Sequence, residues 1–156
     1  NNPFFDIIHS TGKAGYIAMA DALERERPDY RACGMDVRDY IYDMSRVMAA
    51  ADLVICRAGA ATLAELTTMG KPAVLEPSPN VTNKHQEKNA RVLERAGGAK
   101  VITEPEATPE GILETVSELL HHPERLAAMA SSMRALGVED AAAKIADIVL
   151  GLVSEE

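Results

Sequence analysis

The chain is short of several things, and each shortage closes a route. Among its 156 residues no apolar run reaches the ~18–20 residues that a membrane-crossing helix needs. The N-terminal stretch lacks the basic-then-apolar pattern of a secretory signal. Two cysteines, Cys33 and Cys56, make neither a disulfide framework nor a zinc site, and read as small core or near-core residues in a reducing compartment. Positive charge is scarce: 16 Lys and Arg stand against 24 Asp and Glu, a net charge of −8, which argues against a nucleic-acid partner. There is no nucleophile elbow, phosphate-binding lysine loop, zinc motif or Asp-x-Asp pair, so no metal site is expected. Internal repeats and long linkers are also missing. What remains is 47% apolar and 26% charged, the composition of one globular domain with a buried core. The chain is expected in the cytoplasm, where it can still lie on a membrane.

Hydrophobic patterning predicts an alternation of strands and helices. Phe4–His9 reads as a buried strand, Ser10–Lys13 as a loop, and Tyr16, Met19, Ala20 and Leu23 as one face of a helix stopped by Pro28. Val37–Ile41 is predicted as a short strand and Met44 to about Ala51 as a brief helix. Leu53–Cys56 is a strand, Thr62–Met69 a helix ended by Gly70, and Ala73–Leu75 the next strand. A loop follows through Pro77, Pro79, Asn80, Thr82 and Asn83. Lys84–Ala96 is a helix closed by Gly97-Gly98, and Ala99–Ile102 a strand. Thr108-Pro109 opens a helix to about His121, Pro123 opens another to about Leu136, and Val138–Val153 is the last. The pattern predicts an α/β fold, a Rossmann-like parallel sheet with helices on both faces, closed by C-terminal helices. Ligands of such sheets sit beyond the C-terminal ends of the strands, which selects three loops: 9–13, 57–61 and 77–85.

Three constellations in or near those loops could carry chemistry. Arg57-Ala58-Gly59-Ala60-Ala61-Thr62 follows a strand with small residues that let a ligand approach the backbone, and the helix behind it offers free N–H groups to an anion. It could equally be a tight turn that only packs the helix. Glu65 lies three residues after Thr62, placed either to cap the helix or to accept hydrogen bonds from vicinal sugar hydroxyls. Asn80–Asn89, with His85 and Gln86 in its helical first turn, is dense in side chains that bind polyhydroxyl ligands or that simply solvate a loop. His9 ends the first strand as a structural or a pocket residue. His121 and His122 sit at a helix end and read as structural.

Read together, "YIYDM", "ADLVICRAGAATLAEL", "GKPAVLEPSPNVTNKHQEKNA" and "AGGAKVI" resemble, in that order, the C-terminal donor-binding half of the MurG family of bacterial GT-B glycosyltransferases. The resemblance covers about residues 4–150 and is strongest from Ile41 to Asn89. "IIHSTGK" is similar to the strand and loop after that family's first βα unit. The resemblance implies transfer of N-acetylglucosamine from UDP-GlcNAc to undecaprenyl-pyrophosphoryl-MurNAc-pentapeptide, lipid I to lipid II, without a metal or other cofactor. It also implies a peripheral place on the inner face of the cell membrane.

By the same resemblance, Glu65 holds the ribose of UDP and the backbone of Ile41 meets the uracil edge. Ala60, Ala61 and Thr62 lie at the helix start beside the diphosphate, and Gly59 just before them is a further donor-binding candidate. His85 and Gln86 stand where the family has paired glutamines that touch the GlcNAc, and only Gln86 keeps the amide. Arg57 is a weaker pocket candidate. The family's acceptor-binding N-terminal domain is absent from these residues, as is the glycine-rich loop with its strand and helix. The chain is thus expected to be a single, partial donor-binding domain, inactive alone, with the catalytic base and the lipid I contacts in the missing half. Two other readings stay open: a standalone nucleotide-sugar-binding subunit completed by a partner chain, and a GT-B transferase with another lipid acceptor such as a diacylglycerol.

Overall fold

The computed structural model describes residues 5–81 and 84–153. Phe4, at the start of the predicted first strand, and Thr82 and Asn83, in the polar loop, lie outside the described residues. The chain forms two compact units, Asn1–Val47 and Met48–Glu156.

In the first unit, β1 (Ile7–Ser10) and β2 (Met35–Arg38) pair in parallel, Ile7 opposite Met35 and Ser10 opposite Arg38. Helix α1 (Lys13–Glu26) joins them. The observed β2 lies two to three residues before the predicted strand at 37–41. Its position follows from the turn before it: Met35 N–H donates to Tyr30 and Ile7 N–H to Gly34, which starts the ladder at Met35. The ladder ends at Arg38, so Ile41 leaves the strand and sits in the turn before α2 (Met44–Ala50). Among the described residues of this unit Tyr30 and Ile41 are the buried hydrophobics, so β1 is not the buried strand its sequence predicts: Ile7 is half-buried and Ile8, His9 and Ser10 are exposed, with no described strand on its second edge.

The second unit is built on three parallel strands in the order β3 (Val54–Cys56), β4 (Ala73–Leu75), β5 (Ala99–Val101). All three residues of β4 are buried. Successive side chains on a strand point to opposite faces, so a wholly buried strand needs cover on both. Ala73 and Leu75 pack with Leu63 and Leu66 of α3 (Ala60–Met69) and Ala90 and Leu93 of α4 (His85–Arg95). Val74 packs on the other face with Leu119 of α5 (Pro109–Leu120) and Met129 of α6 (Pro123–Leu136). Parallel strands with helices on both faces are thus present as expected, in two sheets among the described residues.

The helix ends show why the short strands fall where they do. Gly70 and Gly97 both have positive φ, 64° and 81°. Behind each, the next amide reaches back five residues, Lys71 N–H to Leu66 and Gly98 N–H to Leu93. This left-handed closure turns the chain directly into β4 and β5. Lys71 then places its ammonium on the carbonyls of Ala49 and Ala51, 2.7 and 2.8 Å away, at the C-terminal end of α2. Thr108 caps α5 through the Gly111 amide, as its Thr-Pro start predicts. Two departures are local. Glu104–Glu106 forms a short 3₁₀ turn closed by a Thr103–Glu106 capping box. The last helix, α7 (Ala141–Val153), begins later than Val138, after Asp140 with φ 55°. No described helix is long and apolar enough to cross a membrane.

Leu66 is fully buried and Ile148 is 64% exposed. Leu66→Ala is expected to cost about 2–5 kcal/mol of stability. Ile148→Ala should stay within about 0.5 kcal/mol. Urea unfolding of the two variants against the parent checks both values.

Candidate functional site

Neighbouring parallel strands deliver their C-terminal loops side by side. β3 and β4 are such neighbours, with Cys56 opposite Leu75. The β3–α3 turn and the β4–α4 loop therefore open on the same end of the three-stranded sheet, which is where ligands of doubly wound sheets bind.

The β3–α3 turn is held from below and open above. Ala58 is fully buried and anchors it. Gly59 is the N-terminal cap residue of α3, in an extended conformation with φ −71° and ψ 142°. A methyl group on Gly59 would meet only Thr62 Oγ1, at 3.9 Å, so the glycine is required neither by the backbone nor by packing. The space over it is available to a ligand. No side chain caps the helix. The Leu63 amide bonds to the Gly59 carbonyl at 2.9 Å. The amides of Ala60, Ala61 and Thr62 have no acceptor among the described residues, which leaves the positive end of a ten-residue helix unsatisfied. Thr62 is the third residue of α3, so the alternative in which Thr62 and Glu65 cap the helix is not what forms. Glu65 is exposed one turn into the helix, with no side-chain partner among the described residues.

Arg57 is occupied. It donates to the Glu76 carbonyl at 3.3 Å and pairs with the Glu76 carboxylate at 3.4 Å and the Glu104 carboxylate at 3.9 Å. Glu76 follows β4 and Glu104 follows β5, so one guanidinium links the segments after all three strands. The Glu76 amide returns to the Cys56 carbonyl. The sequence reading missed Glu76 and Glu104, which lie too far along the chain for spacing to pair them with Arg57. Burial pushes the Cys56 thiol, at the end of β3, up to about 11.

On the neighbouring loop, Gln86 accepts a hydrogen bond from the Ser78 amide at 2.9 Å through its side-chain oxygen. That bond fixes the amide orientation and leaves the NH₂ group without a partner among the described residues. His85 is exposed in the first turn of α4. Lys84, just before it, takes a left-handed conformation with φ 50°. The structure therefore gathers Arg57, Gly59, Ala60, Ala61, Thr62 and Glu65 on one turn and His85 and Gln86 beside it. Ile41 belongs to the other unit. Its side chain is 7% exposed, and neither its amide nor its carbonyl has a partner among the described residues.

His121 and His122 behave structurally: His121 Nδ1 lies 2.7 Å from the Ser117 carbonyl, and His122 Nδ1 lies 3.0 Å from Glu124, while His9 is exposed at the end of β1. Among the described residues no group of three or more His, Cys, Asp or Glu could hold a metal ion. A shallow concavity of about 290 Å³ is bounded by Lys84, Glu87, Lys88, Arg91 and Arg95, along α4 and its start.

The fold is that of an α/β domain, and one end of its three-stranded sheet presents a helix terminus beside the Gln86 amide and the Glu65 acid. The profile of the glycosyltransferase family 28 C-terminal domain matches residues 1–145, and the chain belongs to that family. Among its curated relatives, the UDP-N-acetylglucosamine–N-acetylmuramyl-(pentapeptide) pyrophosphoryl-undecaprenol N-acetylglucosamine transferase of Acetivibrio thermocellus is 39% identical over 97% of this chain and 40% of its own length. The enzyme of the same name from an Anaeromyxobacter strain is 46% identical over 94% of this chain and 37% of its own. The crystal structure of Acinetobacter baumannii MurG superposes with a TM-score of 0.78 at 31% identity, covering 94% of this chain and 43% of that one. The glycosyltransferase VinC, solved in complex with dTDP, shares the fold at a TM-score of 0.65 and 17% identity, over 87% of this chain and 32% of its own. The chain thus spans about two fifths of the length of the curated relatives it matches.

A thiol held near 11 is almost wholly protonated at pH 8. Cys56 should accordingly react with iodoacetamide at that pH about 100-fold more slowly in the folded protein than in urea. Mass spectrometry of time-quenched samples checks the ratio.

Proposed function

We propose that this chain is the donor-binding domain of a metal-independent hexosyltransferase. In that reading it holds UDP-GlcNAc for transfer of GlcNAc to undecaprenyl-pyrophosphoryl-MurNAc-pentapeptide, at the cytoplasmic face of the membrane. The observation that carries the reading is the start of α3: three amides at the positive end of a helix without an acceptor among the described residues, empty space over Gly59, and the Glu65 carboxylate one turn further on, likewise without a partner there. The names of the full-length relatives supply the donor and acceptor.

The diphosphate lies against the amides of Ala60, Ala61 and Thr62, where the fixed backbone dipoles need no counter-ion to attract it. Glu65 accepts the two ribose hydroxyls. Ile41 is assigned to the uracil edge on the family resemblance; its amide and carbonyl have no partner among the described residues. Gln86, its orientation set by Ser78, donates to the GlcNAc hydroxyls, with His85 beside it. The acceptor hydroxyl attacks the anomeric carbon directly, the bond to the UDP oxygen breaks, and the configuration inverts. Negative charge then grows on the leaving diphosphate, where the same amides stabilise it without reorganising. Arg57, already satisfied by Glu76 and Glu104, shapes the site rather than contacting the donor.

The reading includes an acceptor domain and one further βα unit with a glycine-rich loop, both outside these 156 residues. Its support is the state of two strands. Among the described residues β1 pairs only with β2, and β3 only with β4. Ile8 and Ile55 on these strands are 43% and 49% exposed, although parallel strands are normally covered on both faces.

Loss of the Glu65 carboxylate removes charge-assisted hydrogen bonds to ribose, worth about 1.5–3 kcal/mol. Glu65→Ala should therefore weaken UDP-GlcNAc binding by roughly 10- to 150-fold while leaving the unfolding midpoint unchanged. Calorimetric titration decides it; an unchanged affinity removes Glu65 from the site.

A further inference from the structure

A short, stiff piece of backbone joins the β3–α3 turn to Gln86. Glu76 follows β4, and Ser78 lies two residues further on. At one end Glu76 is fastened to the β3–α3 side in three ways. Its amide donates to the Cys56 carbonyl at 3.0 Å, its carbonyl accepts from Arg57 at 3.3 Å, and its carboxylate pairs with the same guanidinium at 3.4 Å. At the other end the Ser78 amide donates to the Gln86 side-chain oxygen at 2.9 Å. The buried Pro77 stands between them. Its ring fixes its own φ, and a proline also restricts the backbone of the residue before it, here Glu76. A displacement at Glu76 is therefore carried to Ser78 rather than absorbed.

The Ser78 amide matters because a glutamine side chain has an acceptor end and a donor end of nearly equal size. A fixed N–H beside it selects the orientation with the oxygen inward. Without that N–H the group can turn over and offer oxygen where it offered NH₂.

We propose that Glu76 is a positioning residue for the sugar end of the donor site. Held by Arg57, it places the Ser78 amide that orients Gln86, and so governs how much affinity the sugar adds to that of UDP alone. The proposal rests on the donor reading above, in which Glu76 itself touches no part of the donor. The plainer account is an ion pair that only stabilises the fold. That pair is 48% exposed on the arginine and 27% on the acid, and pairs so open to water add little stability. Glu104, 3.9 Å from the same guanidinium, is a second anchor for Arg57, but it follows β5 and does not lead on to Gln86.

Calorimetric titration with UDP and with UDP-GlcNAc tests the proposal. In Glu76→Ala the affinity for UDP-GlcNAc should fall roughly 2- to 10-fold, the worth of one hydrogen bond, while that for UDP stays within about twofold. Glu76→Gln keeps an acceptor for Arg57 and should recover most of the loss. Glu104→Gln removes one negative charge from the same guanidinium without disturbing Ser78, and should leave the ratio of the two affinities unchanged. In a Gln86→Ala background, Glu76→Ala should cause no further loss, because both act through one contact. An equal loss for UDP and UDP-GlcNAc in Glu76→Ala, with the unfolding midpoint unchanged, overturns the proposal, and so does an additive loss in the double variant. A lowered midpoint in Glu76→Ala that Glu76→Gln restores without restoring the affinity ratio also overturns it, in favour of the plainer account. A parent protein that binds neither ligand sinks the donor reading and this proposal with it. A parent that binds both, with variants that affect the two alike, sinks the proposal alone.

Discussion

The second unit depends on one constraint: β4 is buried on both faces. Three residues, Ala73, Val74 and Leu75, alternate between two hydrophobic clusters, and each cluster needs its own helices. Parallel neighbours on either side of β4 require crossover helices, and those crossovers are α3 and α4. A crossover helix must begin at the C-terminal end of the strand it follows. The burial of β4 therefore also decides that the N-termini of α3 and α4 come side by side at one end of the sheet. Site and core are consequences of the same packing problem.

Charge separates scaffold from site at that end. Arg57, Glu76 and Glu104 satisfy one another and link the segments after three strands. These pairs are half-exposed, so their value lies in holding geometry more than in stability. Glu65 and the first amides of α3, a few residues away, have no partner among the described residues. A group that the fold has already paired is a poor recruit for a ligand. By that criterion Arg57 belongs to the frame, and Glu65 with the helix terminus is what remains for the proposed donor.

Much of this was legible in the sequence because the signals are local. Leu53–Cys56 and Ala73–Leu75 are short apolar runs, and Gly70 with Pro72 marks the passage between α3 and β4. The small residues after Cys56 pointed to the turn that now carries the free amides. What was not legible depends on partners distant in sequence. The position of β2 is set by a turn at Tyr30–Met35 and by pairing with β1, neither visible in the residues 37–41 themselves. The 3₁₀ turn at Glu104–Glu106 depends on a reciprocal Thr103–Glu106 cap. The role of Arg57 required knowing that β3, β4 and β5 end together. The late start of α7 reflects the left-handed Asp140, which an apolar pattern beginning at Val138 conceals.

The central claim is that the helix terminus after β3 is a nucleotide-sugar site. The most direct measurement is amide chemical-shift mapping by NMR as UDP-GlcNAc is added without divalent metal. The account predicts the largest shifts at Ala60, Ala61 and Thr62, with smaller ones at Ile41, Glu65, His85 and Gln86. Shifts confined to the outward face of α4, at Lys88 and Arg95, or no saturable shifts in the β3–α3 turn, would contradict it.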